Sequence, residues 1–266
     1  MRREDSAAKR AAWRERASTS FLDSPGPLAF AHRGGAAHQP ENSWRAFEHA
    51  VSLGYRYLET DARATADGVL LAFHDETLDR VTGRPGRVAG LPYRTVATAL
   101  IDGREPIPKL EDLLGSWPDA RFNIDVKHPA SVGPLAGVLR RTAAWDRVCV
   151  CSFSSLRLRA ARRALGRPVC TAASPAAIAA VAAGLGGRAA RAASQAAQCA
   201  QIPARMATPA FLRRAHALGW PVHAWTVNDP AQMTQLLEAG VDGIITDDTV
   251  ALRDVLSARG QWPASS

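Results

Sequence analysis

Short apolar runs alternate with amphipathic stretches from Leu28 to Leu256, and this alternation limits the possible folds more than any other feature of the sequence. Repeated strand–helix units indicate a parallel sheet. Eight such units close into a (β/α)8 TIM barrel, an α/β fold of about 250 residues, and the chain has 266 residues. The eight predicted strands span residues 28–32, 56–61, 122–127, 148–152, 169–172, 198–202, 222–226 and 243–246.

A ninth apolar run, residues 69–73, follows the second strand after only a short turn. A parallel crossover needs a dozen or more residues, so this run is predicted to return as an antiparallel hairpin. The hairpin excursion after strand 2 would bring His74 back to the rim of the barrel near Asp61. Residues 77–114 must then lead the chain to the bottom of the barrel, and a helix is predicted over residues 107–114.

The length predicts one barrel domain, residues 25–260, preceded by an N-terminal extension, residues 1–24, that is helical or disordered. The longest apolar run falls short of the roughly 20 residues of a membrane helix, and the charged N-terminus lacks the apolar part of a secretory signal. The four cysteines form no CxxC pair and are predicted to be buried, reduced thiols. We therefore expect a cytoplasmic protein without stable membrane insertion.

The charge is unevenly distributed. The formal net charge is +8, and residues 147–228 contain eleven arginines but no Asp or Glu. This stretch lacks the regular interleaving of aromatic and basic side chains that a nucleic-acid surface needs, so no nucleic-acid partner is predicted. Carboxylate chemistry must come from elsewhere in the chain. Lysine is rare, with three residues against thirty arginines, which singles out Lys127 in an apolar strand.

Acidic side chains stand at the carboxyl ends of neighbouring strands, where TIM barrels place their active sites. Glu59 and Asp61 are two residues apart and share one face of strand 2, and Asp125 occupies the matching end of strand 3. Adjacent carboxylates repel unless a cation or a proton lies between them. The three residues predict an all-oxygen site for Mg²⁺ or Ca²⁺. The alternative is that Glu59 and Asp61 only pair with rim arginines such as Arg33 or Arg63.

Two histidines, His32 and His74, reach the same rim from different strands. Imidazoles titrate near neutral pH, so the pair is suited to act as acid and base in the cleavage of a phosphodiester. Arg33 and Lys127 would supply positive charge to a phosphoryl group that gains negative charge in the transition state. Gly34 and its neighbour would let the backbone approach the ligand closely.

These residues belong to motifs that resemble the glycerophosphodiester phosphodiesterase family. The resemblance covers about residues 28–250, with the motifs in order. They are His32-Arg33-Gly34, Pro40-Glu41-Asn42-Ser43, Glu59-x-Asp61, Asp67-Gly68, His74-Asp75, Leu78-Asp79-Arg80, Ile107-Pro108-x-Leu110-Glu111, Asn123-Ile124-Asp125-Val126-Lys127, Trp225-Thr226-Val227-Asn228 and the segment from Gly240 to Asp247.

The resemblance implies a metal-dependent hydrolase that converts small glycerophosphodiesters to sn-glycerol 3-phosphate and an alcohol. By the same resemblance, His32 and His74 are the acid–base pair, and Glu59 and Asp61 are metal ligands. It places Arg33 and Lys127 on the phosphate, Glu41 at the edge of the site and Trp225 at the substrate pocket. Attack by a neighbouring substrate hydroxyl or by water remains open.

The sequence departs from the family pattern at two positions. Ser43 replaces the usual Thr, and either hydroxyl can cap the helix that follows. Asp125 replaces the commoner Glu and is one methylene shorter. This departure bears on which substrate is cleaved more than on the type of reaction.

Two alternative functions stay open. The first is a lysophospholipase D-like or phosphoinositide-type phosphodiesterase on the same barrel, which would need an apolar platform at the rim; the candidates are Phe153, Trp225, Leu91 and Tyr93. The second is a non-catalytic barrel that binds phosphate metabolites. The sequence does not address the oligomeric state.

Overall fold

The computed structural model describes residues 20–185 and 196–262 of the chain. Eight parallel strands form the central sheet, and they match the eight predicted ones to within a few residues. They are β1 (Leu28–Ala31), β2 (Tyr57–Ala64), β6 (Arg121–Val126), β7 (Val148–Cys151), β8 (Cys170–Thr171), β9 (Ala200–Pro203), β10 (Val222–Trp225) and β11 (Gly243–Thr246).

The sheet closes on itself as a barrel. Hydrogen-bonded neighbours run in the order β8-β7-β6-β2-β1-β11-β10-β9, and a parallel bridge between Ala172 and Cys199 joins the two ends. Asp61 of β2 lies opposite Asp125 of β6, which in turn lies opposite Cys151 of β7. Because successive side chains alternate between the two faces, the register brings these three to one level of the barrel interior.

Helices surround the barrel and follow the predicted strand–helix alternation. Polar side chains cap several of them: Ser43, for example, accepts a hydrogen bond from the backbone of Ala46. Glycines with positive φ follow three of these helices, at Gly54, Gly219 and Gly240. The main helices are α1 (Trp44–Ser52), α4 (Leu110–Ser116), α5 (Val132–Arg141), α6 (Ser155–Leu165), α7 (Pro175–Ala182), α8 (Pro209–Ala217), α9 (Pro230–Ala239) and α10 (Thr249–Ala258).

The predicted hairpin is present. Strand β3 (Leu70–Ala72) pairs antiparallel with the end of β2. The excursion that follows contains α2 (Asp79–Thr82), α3 (Tyr93–Val96) and a small hairpin of β4 (Leu100–Ile101) with β5 (Glu105–Pro106). The helix expected over residues 107–114 begins at Leu110 instead, because Pro106 and Pro108 favour extended backbone before it.

Part of the predicted N-terminal extension belongs to the barrel. A short 3-10 turn, Ser20–Leu22, buries Phe21 and Leu22 beneath the strands. The Phe21 ring packs edge-on against Tyr57 at 5.4 Å, and the Tyr57 hydroxyl donates a hydrogen bond to the Phe21 carbonyl. Residues 1–19 of the predicted extension lie outside the described residues. Within the described part of the chain, no helix is both long and apolar enough to cross a membrane.

Candidate active site

A cavity of about 480 Å³ opens at the carboxyl ends of the barrel strands, where the sequence places the chemistry. Eight of the nine predicted site residues line it. They are His32, Arg33, Glu59, Asp61, His74, Asp125, Lys127 and Trp225. The ninth, Glu41, is one step removed, since its carboxylate contacts Arg33 at 3.0 Å and Arg80 at 2.6 Å. The structure thus brings the predicted residues into one site.

Three carboxylates lie buried on two adjacent strands of this cavity. Glu59, Asp61 and Asp125 are 5%, 1% and 3% exposed. Burial and the negative charge of Asp61 raise the pKa of Glu59. Burial also raises the pKa of Asp125, despite a nearby lysine, because the charged form loses its hydration. The barrel therefore concentrates negative charge that a cation would stabilise.

Lys127 lies between two of these carboxylates. Its Nζ atom is 2.9 Å from Asp61 Oδ1 and 2.6 Å from Asp125 Oδ2. Burial disfavours the ammonium, but the two carboxylates outweigh burial and raise the pKa of Lys127. The lysine is therefore charged, and each aspartate has one oxygen directed towards the ammonium. The rarity of lysine in the sequence correctly singled out this residue.

The turn after β1 contacts both carboxylates of β2. Arg33 adopts a left-handed φ of 51°, a conformation rare outside glycine. This places its backbone N–H 3.0 Å from Glu59 Oε2 and its guanidinium Nε 3.3 Å from Asp61 Oδ2. Asp61 therefore pairs with the Arg33 side chain and Glu59 accepts a hydrogen bond from the Arg33 backbone, whereas Arg63 donates to the His74 carbonyl.

Glycine is needed at position 34 for packing and not, as expected, for a close approach of the backbone to the ligand. A Cβ atom at Gly34 would lie 2.8 Å from the Cβ of Ala46, and its φ is 84°. Glycine at this position thus allows the turn to pack closely against α1, and neither Gly34 nor Gly35 lines the cavity.

His32 is held by a carboxylate that the sequence analysis did not select. Its Nδ1 atom lies 2.6 Å from Asp247 Oδ1, and Asn228 donates to the other oxygen of Asp247. Burial opposes the charged ring, but the carboxylates of Glu59 and Asp247 outweigh burial and raise the pKa of His32. The contact with Asp247 assigns the proton to Nδ1 and leaves Nε2 free to face the carboxylates, 3.8 Å from Glu59 Oε2.

His74 also has a carboxylate partner, which is the next residue in the chain. Its Nδ1 atom lies 2.6 Å from Asp75 Oδ1. Hydrogen bonds from Arg80 and from His74 lower the pKa of Asp75 to about 2. Arg80 also contacts Glu41, so one ion-pair network supports His74 and Arg33 together.

Several other polar residues of the site were missed. The buried amide of Asn42 donates to Asp61 at 3.0 Å, and its carbonyl accepts from Thr60 at 2.7 Å. Asn123 and Gln201 exchange hydrogen bonds across the cavity floor. Asn42 and Asn123 stood within the quoted motifs, and this was the sequence signal that could have marked them as site residues. Gln201 stood in no motif, so only the fold shows that it belongs to the site.

The donor set fits a hard divalent cation. The three carboxylates come from adjacent strands, and Asp125 Oδ1 is buried without a hydrogen-bond partner among the described residues. Oxygen-only ligands suit Mg²⁺ or Ca²⁺ rather than a thiolate-preferring metal. Three of the four cysteines, Cys149, Cys170 and Cys199, cluster lower in the barrel as buried, reduced thiols, as predicted, and do not line this cavity.

Comparison with known proteins identifies the family. The model of the glycerophosphoryl diester phosphodiesterase family matches residues 32–251. The chain belongs to this family. A Mycobacterium tuberculosis relative named "Probable glycerophosphodiester phosphodiesterase 2" is 44% identical over 254 residues, which cover 92% of this chain and 96% of the relative. The resemblance inferred from the sequence motifs, and with it the assignment to an enzyme family of phosphodiesterases, is confirmed.

Solved structures agree on the fold. A glycerophosphodiester phosphodiesterase from Agrobacterium tumefaciens superposes with a TM-score of 0.74 at 23% identity, over 87% of this chain and 99% of that one. A phosphodiesterase from Oleispira antarctica, solved with the product sn-glycerol-3-phosphate, gives a TM-score of 0.74 at 19% identity over 87% and 97% of the two chains. This structural similarity, at less than 25% sequence identity, confirms the predicted barrel fold.

Proposed function

We propose that the protein hydrolyses small glycerophosphodiesters to sn-glycerol 3-phosphate and an alcohol, with a divalent cation and a histidine acid–base pair. The observation that carries this proposal is the meeting of His32 and His74 with three buried carboxylates in one cavity. The product bound to the Oleispira antarctica relative supports the choice of sn-glycerol 3-phosphate. The catalytic unit would be the barrel of residues 25–260 together with the packed Ser20–Leu22 turn, and the proposed location is the cytoplasm.

Glu59, Asp61 and Asp125 would hold the cation, Mg²⁺ or Ca²⁺. When bound, such an ion stabilises negative charge on phosphoryl oxygens as a Lewis acid. Asp61 also contacts Lys127 and Arg33. Burial tends to raise the pKa of Asp61, but these two cations outweigh burial and lower the pKa, which helps to keep the carboxylate ionised.

The two histidines are the groups that would move protons. Each has its Nδ1 atom on a carboxylate, Asp247 for His32 and Asp75 for His74, so each presents Nε2 as the exchanging atom. One would remove the proton from the attacking hydroxyl or water, and the other would protonate the leaving alcohol.

Fixed positive charge would bind the phosphate. Lys127 and Arg33 both line the cavity and both contact Asp61, which orients them. Charges held in place before the reaction stabilise the transition state without reorganisation. Glu41 supports Arg33 from outside the cavity, and Trp225 forms one wall of the pocket.

The test is product release from defined diesters. Glycerophosphocholine, glycerophosphoethanolamine and bis(p-nitrophenyl) phosphate are incubated with chelator-treated protein, with and without Mg²⁺, Ca²⁺ or Zn²⁺. We expect sn-glycerol 3-phosphate from the first two, abolished by chelation and restored better by Mg²⁺ or Ca²⁺ than by Zn²⁺. Binding of the diesters without turnover under every metal condition would instead support a non-catalytic barrel.

A further inference from the structure

Three thiols meet inside the barrel, below the active-site cavity. Cys149 of β7, Cys170 of β8 and Cys199, just before β9, are 0%, 1% and 0% exposed. Their sulfur atoms all lie within 4.8 Å of one another. Cys151 and Gln201, two residues further along β7 and β9, line the active-site cavity, so the three thiols lie one layer deeper. We call them the thiol cluster.

The spacing within the thiol cluster matches that of a three-coordinate metal site. Metal–thiolate bonds are about 2.3 Å long, so three of them at about 120° to one another hold their sulfur atoms about 4.0 Å apart. The sulfur atoms of Cys149 and Cys199 are 3.9 Å apart. Two sulfur atoms joined as a disulfide would be only about 2.05 Å apart. Cys149 and Cys199 therefore already stand at the separation that two ligands of such an ion need.

The thiol cluster lies where the barrel closes with the least strand pairing. Among the described residues, β8 has only two residues, and a single bridge between Ala172 and Cys199 joins it to the segment that leads into β9. By contrast, β2 and β6 pair over six residues. Cys149 lies directly opposite Cys170 in the pairing of β7 with β8. An ion bound to all three thiols would therefore link three neighbouring strands where backbone pairing holds them least.

The surroundings limit the total charge that the ion and its ligands can carry. The thiol cluster packs with apolar side chains such as Ile245. Burial raises the pKa of Cys149, so a full set of thiolates is costly there. Arg162, half-buried on α6, donates a hydrogen bond to the Ala172 carbonyl at 2.9 Å. Its positive charge attracts the thiolate forms of Cys149 and Cys199, so one net negative charge in the cluster has a partner.

These conditions favour Cu(I) over a divalent ion. Thiolates select soft cations such as Cu(I) and Zn²⁺. A structural Zn²⁺ takes four ligands, whereas within the described chain this group contains three cysteines and no fourth His, Cys, Asp or Glu. One Cu(I) ion bound by two thiolates and one thiol releases two protons to solvent and leaves a net charge of −1, which Arg162 offsets.

We propose that the thiol cluster is a structural site for one Cu(I) ion, which joins β7, β8 and the start of β9 beneath the active site. This site is separate from the carboxylates proposed to hold Mg²⁺ or Ca²⁺, since none of the three thiols lines the active-site cavity. The unfolded chain does not hold the three thiols together, so the ion binds the folded barrel more tightly and stabilises it.

The experiment is an anaerobic titration of the full chain with Cu(I), buffered by a chromogenic chelator. We expect uptake of one ion per chain and copper-edge X-ray absorption that shows sulfur ligands only, at about 2.3 Å. With free Cu(I) at about 100 times Kd, the Tm should rise by about 5–10 °C. Cys199→Ala should weaken the affinity at least about 100-fold, because loss of even an outer partner of a metal site costs about 10–100-fold. Cys151→Ala, at the fourth cysteine, is the matched control and should bind Cu(I) as wild type does.

Cys170→Ala is a second ligand variant for the case that Cys199→Ala does not fold, and the X-ray absorption of wild type needs no variant. Loss of affinity in either ligand variant, with Cys151→Ala unchanged, supports the site. Four results would overturn it: no uptake in competition with the chelator, nitrogen or oxygen ligands on the copper, a Tm that copper leaves unchanged, or an equal loss of affinity in Cys151→Ala.

Discussion

The Nδ1 atom of His32 lies 2.6 Å from the carboxylate of Asp247, although 215 residues separate them in the chain. Asp247 follows β11 and His32 follows β1, two strands that are neighbours in the barrel. Burial tends to raise the pKa of Asp247, but hydrogen bonds from His32 and Asn228 outweigh it and lower the pKa. An ionised Asp247 therefore fixes the tautomer and orientation of His32.

Asp247→Asn should lower kcat by about 10² or more, because the amide cannot stabilise the imidazolium or select the tautomer. Removal of the negative charge lowers the pKa of His32, so the limb of the pH–rate profile that reports His32 should move to lower pH. Asp248→Asn is the matched control, since Asp248 contacts His38 and caps α10 without touching His32. An unchanged kcat and profile in Asp247→Asn would show that the contact is only structural.

His32→Ala and His74→Ala should each lower kcat by about 10²–10⁴. Divalent-cation affinity should persist in both variants, because the proposed ligands are carboxylates. The double variant should lose less than the product of the single losses, since both groups act on one reaction. Steady-state kinetics with glycerophosphocholine checks this, and a variant that keeps more than about a tenth of the wild-type kcat would remove that histidine from the catalytic pair.

Lys127→Arg should lose most of the activity while keeping the charge. The ammonium lies within 2.9 Å of Asp61 and 2.6 Å of Asp125, a space that suits a compact cation. A guanidinium is larger and planar, so it would displace one carboxylate. Arg157→Lys, at another cation that lines the cavity, serves as the comparison. Wild-type kinetics in Lys127→Arg would mean that charge alone matters at this position.

His223 should make the fold sensitive to mild acid. It is fully buried inside the barrel, its ring packs 4.9 Å from Phe30, and burial lowers its pKa to about 4. In the unfolded chain the pKa is about 6.5, so between these values only the unfolded state binds the proton. The free energy of unfolding therefore falls as pH drops below about 6.5, by about 2 kcal/mol at pH 5.

His223→Leu removes that titration. The difference in unfolding free energy between pH 7.5 and pH 5, measured by urea denaturation, should be about 2 kcal/mol smaller than in wild type. An identical loss in both proteins would assign the acid sensitivity to other groups.

The sequence predicted the barrel because each strand is a short apolar run that is followed by its own helix. It predicted the hairpin because the apolar run of residues 69–73 follows the second strand too closely for a parallel crossover. It predicted the carboxylates and histidines because strand ends of a parallel barrel meet at one rim. The alternation of side chains also placed Asp125 and Lys127 on one face, as the structure shows.

The partners of those residues were harder to predict. Asp247 and Asp75 stood within the quoted motifs, but their contacts with the histidine rings appear only in the fold. Gly34 was correctly marked as special, yet only the approach of α1 shows why glycine is needed there.

The central claim is that Glu59, Asp61 and Asp125 form one cation site, and Asp125 tests it because its carboxylate also contacts Lys127. Asp125→Asn should weaken Mg²⁺ or Ca²⁺ affinity by at least about tenfold, since the loss of even an outer partner of a metal site costs that much. It should also remove most of the activity. Asp125→Glu should retain a substantial part of both, and Asp112→Asn, an exposed carboxylate on α4, should change neither.

Calorimetric titration of Mg²⁺ and Ca²⁺ into chelator-treated wild type and Asp125→Asn is the most direct measurement. The account predicts one binding event in wild type that is weakened or lost in the variant. Unchanged affinity in Asp125→Asn, with activity lost, would show that Asp125 serves only to neutralise Lys127 and would contradict the three-carboxylate site.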